Sequence, residues 1–255
     1  MIRIGPAGSA GLGNEKALEK INELGLNAME IEFTYGVRMS DSQAKSLGER
    51  ARELDIALSV HCPYYINLAS KENAKIEASK KRIMDSCQKA HLLGAGYVVF
   101  HAGFYQDRAK KETFDLIKKE VGDLAKAIKK NQWDVVLAPE TTGKKSQFGD
   151  IDELLRLKKE AGCEFCVDFA HILARDGEIH YDGVFDKLKG MGHIHAHFSG
   201  IEYTEKGERR HVLTEKSAIT PLAKKILERK VDIAIINESP DPITDSVKMK
   251  KALTQ

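Results

Sequence analysis

Long hydrophobic runs are missing from this sequence, and their absence argues against a membrane-spanning helix. The purely apolar stretches fall far short of the ~18 residues that a transmembrane helix needs. Residues 1–11 contain no long apolar segment, so we expect no secretory signal peptide. These features predict a cytoplasmic protein with no membrane partner.

Cysteine is scarce, with four residues in 255, which excludes a disulfide framework. Cys163 and Cys166 form a C-x-x-C pair, but the second cysteine falls inside an apolar strand-like run, where neighbouring side chains face different environments. A redox or zinc-knuckle motif would also require a second pair or a βαβ redox context. We therefore expect reduced, structural thiols.

Charge of one sign is also not in excess. Forty basic and 38 acidic residues give a formal net charge of +2. The pI is about 8.2, whereas basic nucleic-acid-binding domains typically have a pI above ~9. The charge balance neither requires nor excludes DNA as a partner. Since no linker or low-complexity segment interrupts the chain, we expect one domain over residues 1–255.

Short apolar runs alternate with helical stretches along the whole chain. Eight runs are predicted to be strands: 3–5, 28–33, 56–61, 97–101, 134–140, 163–168, 193–198 and 231–238. Helices are predicted at 14–23, 40–53, 72–93, 110–130, 150–161, 182–188, 218–229 and 244–253. The segment 199–220 is expected to be a long polar loop. This alternation predicts the α/β class and a single (β/α)₈ TIM barrel, whose usual length matches this chain.

Six of the apolar runs end on a side chain that can bind a metal. The residues are His61, His101, Glu140, Asp168, His197 and Glu238. In a (β/α)₈ barrel the carboxyl ends of all strands meet at one face, where the chemistry takes place. Imidazole and carboxylate bind Zn²⁺, Mn²⁺ or Fe²⁺. The sequence therefore predicts a metal centre at the mouth of the barrel.

Three carboxylates in this set indicate more than one ion, since a carboxylate can bridge two. Glu140, Asp168 and Glu238 are the candidates, and two ions ~3.5–4 Å apart suit the hydrolysis of phosphate esters. His171 and His211 fall beside the predicted strand ends. Each could bind another ion, hold a substrate phosphate or orient a metal ligand.

Other polar residues near the strand ends are weaker candidates. Glu30 and Glu32 share one face of the second strand, where charged residues are expected to pair with Lys or Arg from a neighbour. Tyr64 could stack on a base or sugar, and Arg38 could contact a phosphate.

The motifs around these residues resemble those of the endonuclease IV family, within the xylose isomerase-like TIM barrels. HCPYYINLA at 61–69 resembles the family's H-x-x-Y-x-I-N-L, and PETTGKKSQFG at 139–149 resembles its E-N-T-A-G-x-G-S-x-x-G. FCVDFAH at 165–171 is similar to C-x-D-T-C-H, and NESPD at 237–241 to E-T-P-D. FHAG, HFSG and GERRH supply His101, His197 and His211 in order.

This resemblance implies an enzyme of DNA base-excision repair that cleaves damaged duplex DNA 5′ to abasic sites, by attack of hydroxide on phosphorus in a multi-metal site. It implies two to three divalent ions, most commonly Zn²⁺ and alternatively Mn²⁺, with Glu140 as the central catalytic carboxylate. His61, His101 and Glu140 would hold the first ion, and Glu140, Asp168, His197 and Glu238 the second. His171 and His211 with one more carboxylate would hold the third. Tyr64 and Arg38 would contact DNA, and the protein is expected to be monomeric.

The chain departs from the family at the third ion. The family has D-R-H where this sequence has Arg209-Arg210-His211, so the usual carboxylate is missing, and Glu208 is the alternative. A second interpretation is a sugar isomerase or epimerase of the same barrel superfamily. Such an enzyme needs one ion on Glu140, Asp168, His197 and Glu238. A third is a metal-binding barrel without turnover.

Overall fold

The computed structural model describes residues 1–254, and its strands follow the predicted order. They are β1 (Ile2–Pro6), β2 (Ala28–Glu32), β3 (Ala57–His61), β4 (Tyr97–Phe100), β5 (Val136–Pro139), β6 (Cys166–Asp168), β7 (Ile194–Phe198), β8 (Gly200–Thr204), β9 (Gly207–Val212) and β10 (Ile233–Asn237). Eight of them, β1 to β7 and β10, are parallel and form the barrel, while β8 and β9 form an antiparallel hairpin. The predicted (β/α)₈ barrel is confirmed.

Two four-stranded sheets close into the barrel through single parallel bridges. The sheets run in the orders β1-β10-β7-β6 and β2-β3-β4-β5. One bridge joins Ala7 to Glu30 and the other joins Glu140 to Cys166. The first bridge links the end of β1 to β2, and the second links the end of β5 to β6. The carboxyl ends of these strands therefore lie at the same mouth of the barrel.

Helices cover the outer face of the barrel. They are α1 (Asn14–Glu23), α2 (Asp41–Glu53), α3 (Asn73–Leu93), α4 (Lys110–Lys130), α5 (Ile151–Ala161), α6 (Phe169–Asp176), α7 (Tyr181–Lys187), α8 (Lys216–Arg229) and α9 (Pro242–Leu253). Ser40 and Gln43 form a capping box at the start of α2. Gly94 and Gly162 end α3 and α5 in the left-handed conformation that favours glycine.

Apolar helix faces pack on the barrel and form one large core. Leu18 and Ile21 of α1, Ile83 of α3 and Ile117 of α4 are fully buried in it. All four cysteines are buried and free, as expected for reduced thiols. Across residues 1–254, no helix combines the length and apolar character that crossing a bilayer would demand.

The structure departs from the predicted elements most clearly in four places. The predicted strand 163–168 is confined to Cys166–Asp168, and 134–140 to Val136–Pro139. Helix α6 was not predicted, because it begins directly after β6 at the Asp168 cap, with no turn residue between strand and helix. The segment 199–220 is not a loop: it contains the β8–β9 hairpin and the first turn of α8. The predicted domain over 1–255 remains an expectation, and its last residue, Gln255, lies outside the described residues.

Candidate metal centre

The six predicted strand-end residues meet at the carboxyl-terminal mouth of the barrel. Asp168 is the last residue of β6, His61 the last of β3, and His197 lies near the end of β7. His101, Glu140 and Glu238 directly follow β4, β5 and β10. Glu140, Asp168 and His197 are almost fully shielded from solvent. The barrel therefore gathers acids and imidazoles in a poorly hydrated site.

Glu140 lies at the centre of this cluster, and its two oxygens face different histidines. Oε2 lies 2.9 Å from His101 Nε2 and 3.4 Å from His61 Nε2. Oε1 lies 3.0 Å from His197 Nδ1 and 3.4 Å from His171 Nδ1. Burial by itself raises the pKa of Glu140, but the charges of His197 and His101 outweigh it and hold that pKa well below its usual value. The carboxylate thus borders two groups of donors, as a bridging ligand does.

The first group of donors is His61, His101 and Glu140, whose ligand atoms all lie within 4.8 Å of one another. His61 Nδ1 lies 2.8 Å from the backbone oxygen of Cys62. When Nδ1–H donates to that carbonyl, Nε2 is left as the free lone pair facing Glu140. A backbone contact therefore orients the imidazole toward the centre.

The second group is Glu140, Asp168, His197 and Glu238, again with all ligand atoms within 4.8 Å. One Asp168 oxygen accepts a hydrogen bond from His171 N at 2.6 Å and caps α6. His197 Nδ1 lies 3.3 Å from Glu238 Oε1. Burial raises the pKa of Glu238, but His197 overrides it and brings that pKa to about 2.

This second group has the properties of a cation site. Within residues 1–254, none of its three carboxylates forms an ion pair with Lys or Arg; their charged neighbours are histidines. Asp168 Oδ2 is buried and has no hydrogen-bond partner among the described residues. Buried carboxylates are costly unless a positive charge accompanies them. A divalent ion meets that requirement, and the mixed nitrogen and oxygen donors suit Zn²⁺ or Mn²⁺.

A third group joins helix α6 to the inserted hairpin. His171 on α6 faces Glu208 and His211 on β9, and the three ligand atoms lie within 4.8 Å of one another. His171 Nε2 lies 3.5 Å from Glu208 Oε2. Ser199 Oγ lies 2.6 Å from His211 Nδ1 and orients that ring. The carboxylate in this group is the alternative Glu208, while Arg209 is exposed.

Glu30 and His195 are buried residues whose contacts sequence reasoning did not identify. Glu30 was expected to pair with Lys or Arg, and this was wrong. Its Oε1 lies 2.9 Å from His197 Nε2, and its Oε2 lies 3.0 Å from His195 Nε2. Burial by itself raises the pKa of Glu30, but the charges and hydrogen bonds of both histidines outweigh it and hold that pKa below its usual value. The alternation of His195 and His197 along β7 was the available signal.

Tyr64 and Glu32 line the cavity of about 510 Å³ that opens onto the ligands. The Tyr64 side chain is exposed, and its ring centroid lies 6.4 Å from that of His61. Burial, with the charges of Glu30 and Glu238, raises the pKa of Glu32 to about 8 against the effect of His61. Arg38 is exposed and lines a neighbouring cavity that also includes Glu32. Neither Tyr64 nor Arg38 belongs to a ligand group.

One protein with a similar sequence matches this chain over nearly its whole length and has no assigned activity. An uncharacterised protein of Methanocaldococcus jannaschii is 36% identical over 253 residues, covering 94% of this chain and 92% of its own. A protein of Halothermothrix orenii named "Probable endonuclease 4" is 24% identical, covering 83% of each chain.

Solved structures of the same fold are named for two kinds of activity. Endonuclease IV from Thermus thermophilus superposes with a TM-score of 0.69 at 21% identity, over 99% of this chain and 97% of its own. A D-tagatose 3-epimerase-like protein gives a TM-score of 0.74 at 21% identity, over 99% and 96%. The family model described as xylose isomerase-like TIM barrel matches residues 18–253. The chain therefore belongs to the xylose isomerase-like TIM barrel family.

Proposed function

We propose that the protein is a metal-dependent phosphodiesterase that cleaves duplex DNA on the 5′ side of abasic sites. The observation that carries the proposal is the pair of donor groups that share Glu140. A single ion would need only the second group. Two ions bridged by a carboxylate are an arrangement suited to phosphate ester hydrolysis. The similarity to proteins named endonuclease 4 supports the same reaction class.

The two donor groups would each hold one ion. His61, His101 and Glu140 would hold one divalent ion, and Glu140, Asp168, His197 and Glu238 the other. When bound, such ions activate water and stabilise charge on the phosphate and leaving oxygens. Water adds across the P–O3′ bond: one P–O bond forms, the P–O3′ bond breaks, and the departing 3′ oxygen takes up a proton. The products are a 3′-hydroxyl and a 5′-phosphate on the abasic sugar.

The residues around the cavity suit a phosphate backbone. Lys144 and Gln147, from the loop after β5, line it together with Tyr64. The cationic Lys144 would pair with a non-bridging phosphate oxygen, because Lys is a common phosphate-binding side chain. Glu32, with a pKa of about 8, is mostly protonated at neutral pH, so it adds little repulsion toward the phosphate.

Exposed apolar side chains surround the mouth of the barrel rather than its outer wall. Among residues 1–254, ten large apolar side chains are exposed, and seven of them belong to loops or the hairpin on this face: Leu12, Tyr35, Tyr64, Tyr65, Phe104, Tyr203 and Leu213. Aromatic side chains stack on unpaired bases and sugars, each stack being worth roughly 1–3 kcal/mol. A duplex that has lost a base offers such surfaces, so this rim suits DNA with an abasic site.

A cleavage assay tests the proposal. Metal-free protein, and the same protein reloaded with Zn²⁺ or Mn²⁺, is incubated with a labelled duplex that contains one abasic site. We expect one nick, 5′ to the lesion, with a 3′ end that a DNA polymerase extends, and no nick in the undamaged duplex. Chelator should abolish the reaction. An intact duplex after incubation with protein that carries at least two ions would contradict the proposal.

A single-ion sugar epimerase is the second candidate, and the second donor group favours it. Glu140 Oε1 and Glu238 Oε1 lie 3.0 and 3.3 Å from His197 Nδ1, so two neighbouring carboxylates could move a proton at a carbon next to a carbonyl. A panel of ketoses and aldoses, incubated with the same metal-loaded protein, tests this alternative. Conversion of any sugar with no DNA nicking would replace the first proposal.

A further inference from the structure

Strand β9 contains one more residue than the part of β8 that it faces. Glu202 pairs with Arg210, and the next residue of β8, Tyr203, pairs with Glu208. Arg209 therefore has no counterpart on β8, and its side chain is exposed. This is a β-bulge, which bends a strand and changes the direction of the side chains beyond it.

The bulge places Glu208 on the same face of the hairpin as His211. In a regular strand side chains alternate, so His211 would share a face with Arg209 and not with Glu208. Across the hairpin, His211 pairs with Ile201 and Glu208 pairs with Tyr203. Ile201 and Tyr203 lie two residues apart on β8 and share a face, so their partners do too.

Backbone contacts with the loop after β5 hold Glu208 at this point. Glu208 N donates to Gly143 O at 2.9 Å. A Cβ on Gly143 would lie 2.6 Å from Glu208 Cβ, so only glycine permits the approach. Gly207 has a φ of +100°, which favours glycine, and a Cβ there would meet Gly143 O at 2.1 Å. The same loop begins at Glu140, so the hairpin is fixed relative to the metal centre.

The atom that Glu208 faces is buried and unpartnered. His171 is 2% exposed, and its Nε2 has no hydrogen-bond partner among residues 1–254. Glu208 Oε2 lies 3.5 Å from it, and His211 completes the group. Two imidazoles and a carboxylate are a donor set that suits Zn²⁺.

We infer that Glu208 is a ligand of a third divalent ion, together with His171 and His211, and that the bulge at Arg209 is the device that places it there. This inference rests on the proposed multi-metal function. The same geometry gives position 209 no part in metal binding. The Arg209 side chain points away from the ion, so a carboxylate at that position would not become a ligand.

Metal counting tests the inference without using activity. Metal-free protein is equilibrated with Zn²⁺, washed by dialysis, and its ions per chain are measured by elemental analysis and native mass spectrometry. We expect three ions in the wild type and about one fewer in Glu208→Gln. Glu202→Gln is the matched control, because Glu202 lies on the same hairpin and pairs with the exposed Arg210. It should keep three ions, as should Arg209→Asp.

Deletion of Arg209 is the sharpest variant. It removes the bulge and leaves Glu-Arg-His, in which the carboxylate lies two residues before the histidine and shares its face in a regular strand. We expect this variant to keep three ions, and a loss of the third ion there would refute the role of the bulge. Circular dichroism checks that the deletion variant is folded. A further variant, Glu208→Asp, has a side chain one methylene shorter and should bind the third ion more weakly than the wild type.

The outcomes separate this inference from the proposed function. Three ions in Glu208→Gln would overturn the role of Glu208 as a ligand, and two in the wild type would overturn the third site. Either result leaves a two-ion enzyme intact. One ion or none in the wild type would overturn both.

Discussion

Acidic residues at the barrel mouth and on the outer helices have opposite surroundings. On the outer surface, Glu19 pairs with Arg50 at 2.7 Å; Glu19 is exposed and Arg50 is partly exposed. At the mouth, Glu140 and Glu30 are buried, and within residues 1–254 their charged partners are histidines. Surface pairs contribute little because solvent screens them. A buried acid surrounded by imidazoles is instead a feature of a site built to hold cations, and the contrast distinguishes functional from structural acids.

Removing the central acid should give the largest effect. We expect Glu140→Gln to lose ions from both neighbouring groups and to reduce DNA cleavage by more than ~100-fold. A loss of up to ~100-fold is typical when a residue that only hydrogen-bonds to a metal ligand is removed, and Glu140 is itself a proposed ligand. Elemental analysis and cleavage rates measure both effects. Glu19→Gln, an exposed acid, is the control and should change neither. Near-normal cleavage by Glu140→Gln would remove the distinction between the two regions.

His101→Ala separates the two candidate activities. It removes a donor from the first group and leaves Glu140, Asp168, His197 and Glu238 in place. A two-ion nuclease should lose one ion and most of its cleavage rate, whereas a single-ion epimerase should keep its turnover. Ions per chain and the two activity assays, performed on one preparation, decide between them.

Glu30→Gln tests an acid that contacts a proposed metal ligand, His197, but is not itself a proposed ligand of the ion. Glu30 faces His197 Nε2, so it favours the tautomer whose Nδ1 is free for the second donor group. We expect the affinity for one ion to fall roughly 10–100-fold, while the His61–His101 group keeps its ion. Competition with a chromophoric chelator measures this, and the absorption spectrum of the Co²⁺-loaded protein should change. Glu30→Asp, which keeps the charge, should recover part of the affinity.

The smallest effect is expected at the exposed rim. Tyr64→Ala should weaken binding of an abasic duplex by roughly 1–3 kcal/mol, because it removes a stacking surface. Metal content should be unchanged, since Tyr64 belongs to no donor group. Fluorescence anisotropy with labelled duplexes provides the affinity. Equal affinities of the wild type and the variant would exclude Tyr64 from the DNA contact.

Much of the barrel could be predicted from local patterns. Six of the eight barrel strands are short apolar runs that lead into a metal-type side chain, and parallel strands that share a barrel must end at one face. His61, His101, Glu140, Asp168, His197 and Glu238 could be selected in this way, and the structure brings them together. Their roles as ligands stay predictions until ions are counted.

Contacts across the barrel could not be predicted in the same way. Glu30 on β2 reaches His195 on β7, which lies 165 residues away in sequence, and no local pattern specifies which side chains meet across an interior. Helix α6 and the β8–β9 hairpin were also missed. No turn residue separates α6 from β6, and the hairpin strands are polar and not apolar runs.

The sequence by itself determined the order of the barrel strands and the donor at the end of six of them, because hydrophobic periodicity and strand alternation are local properties. The tertiary structure decided which donor atoms lie close to one another, what partners the buried acids have, and that Glu208 lies on the same face of the hairpin as His211. These depend on barrel closure and on a single bulge, which set distances between residues that are far apart in the chain.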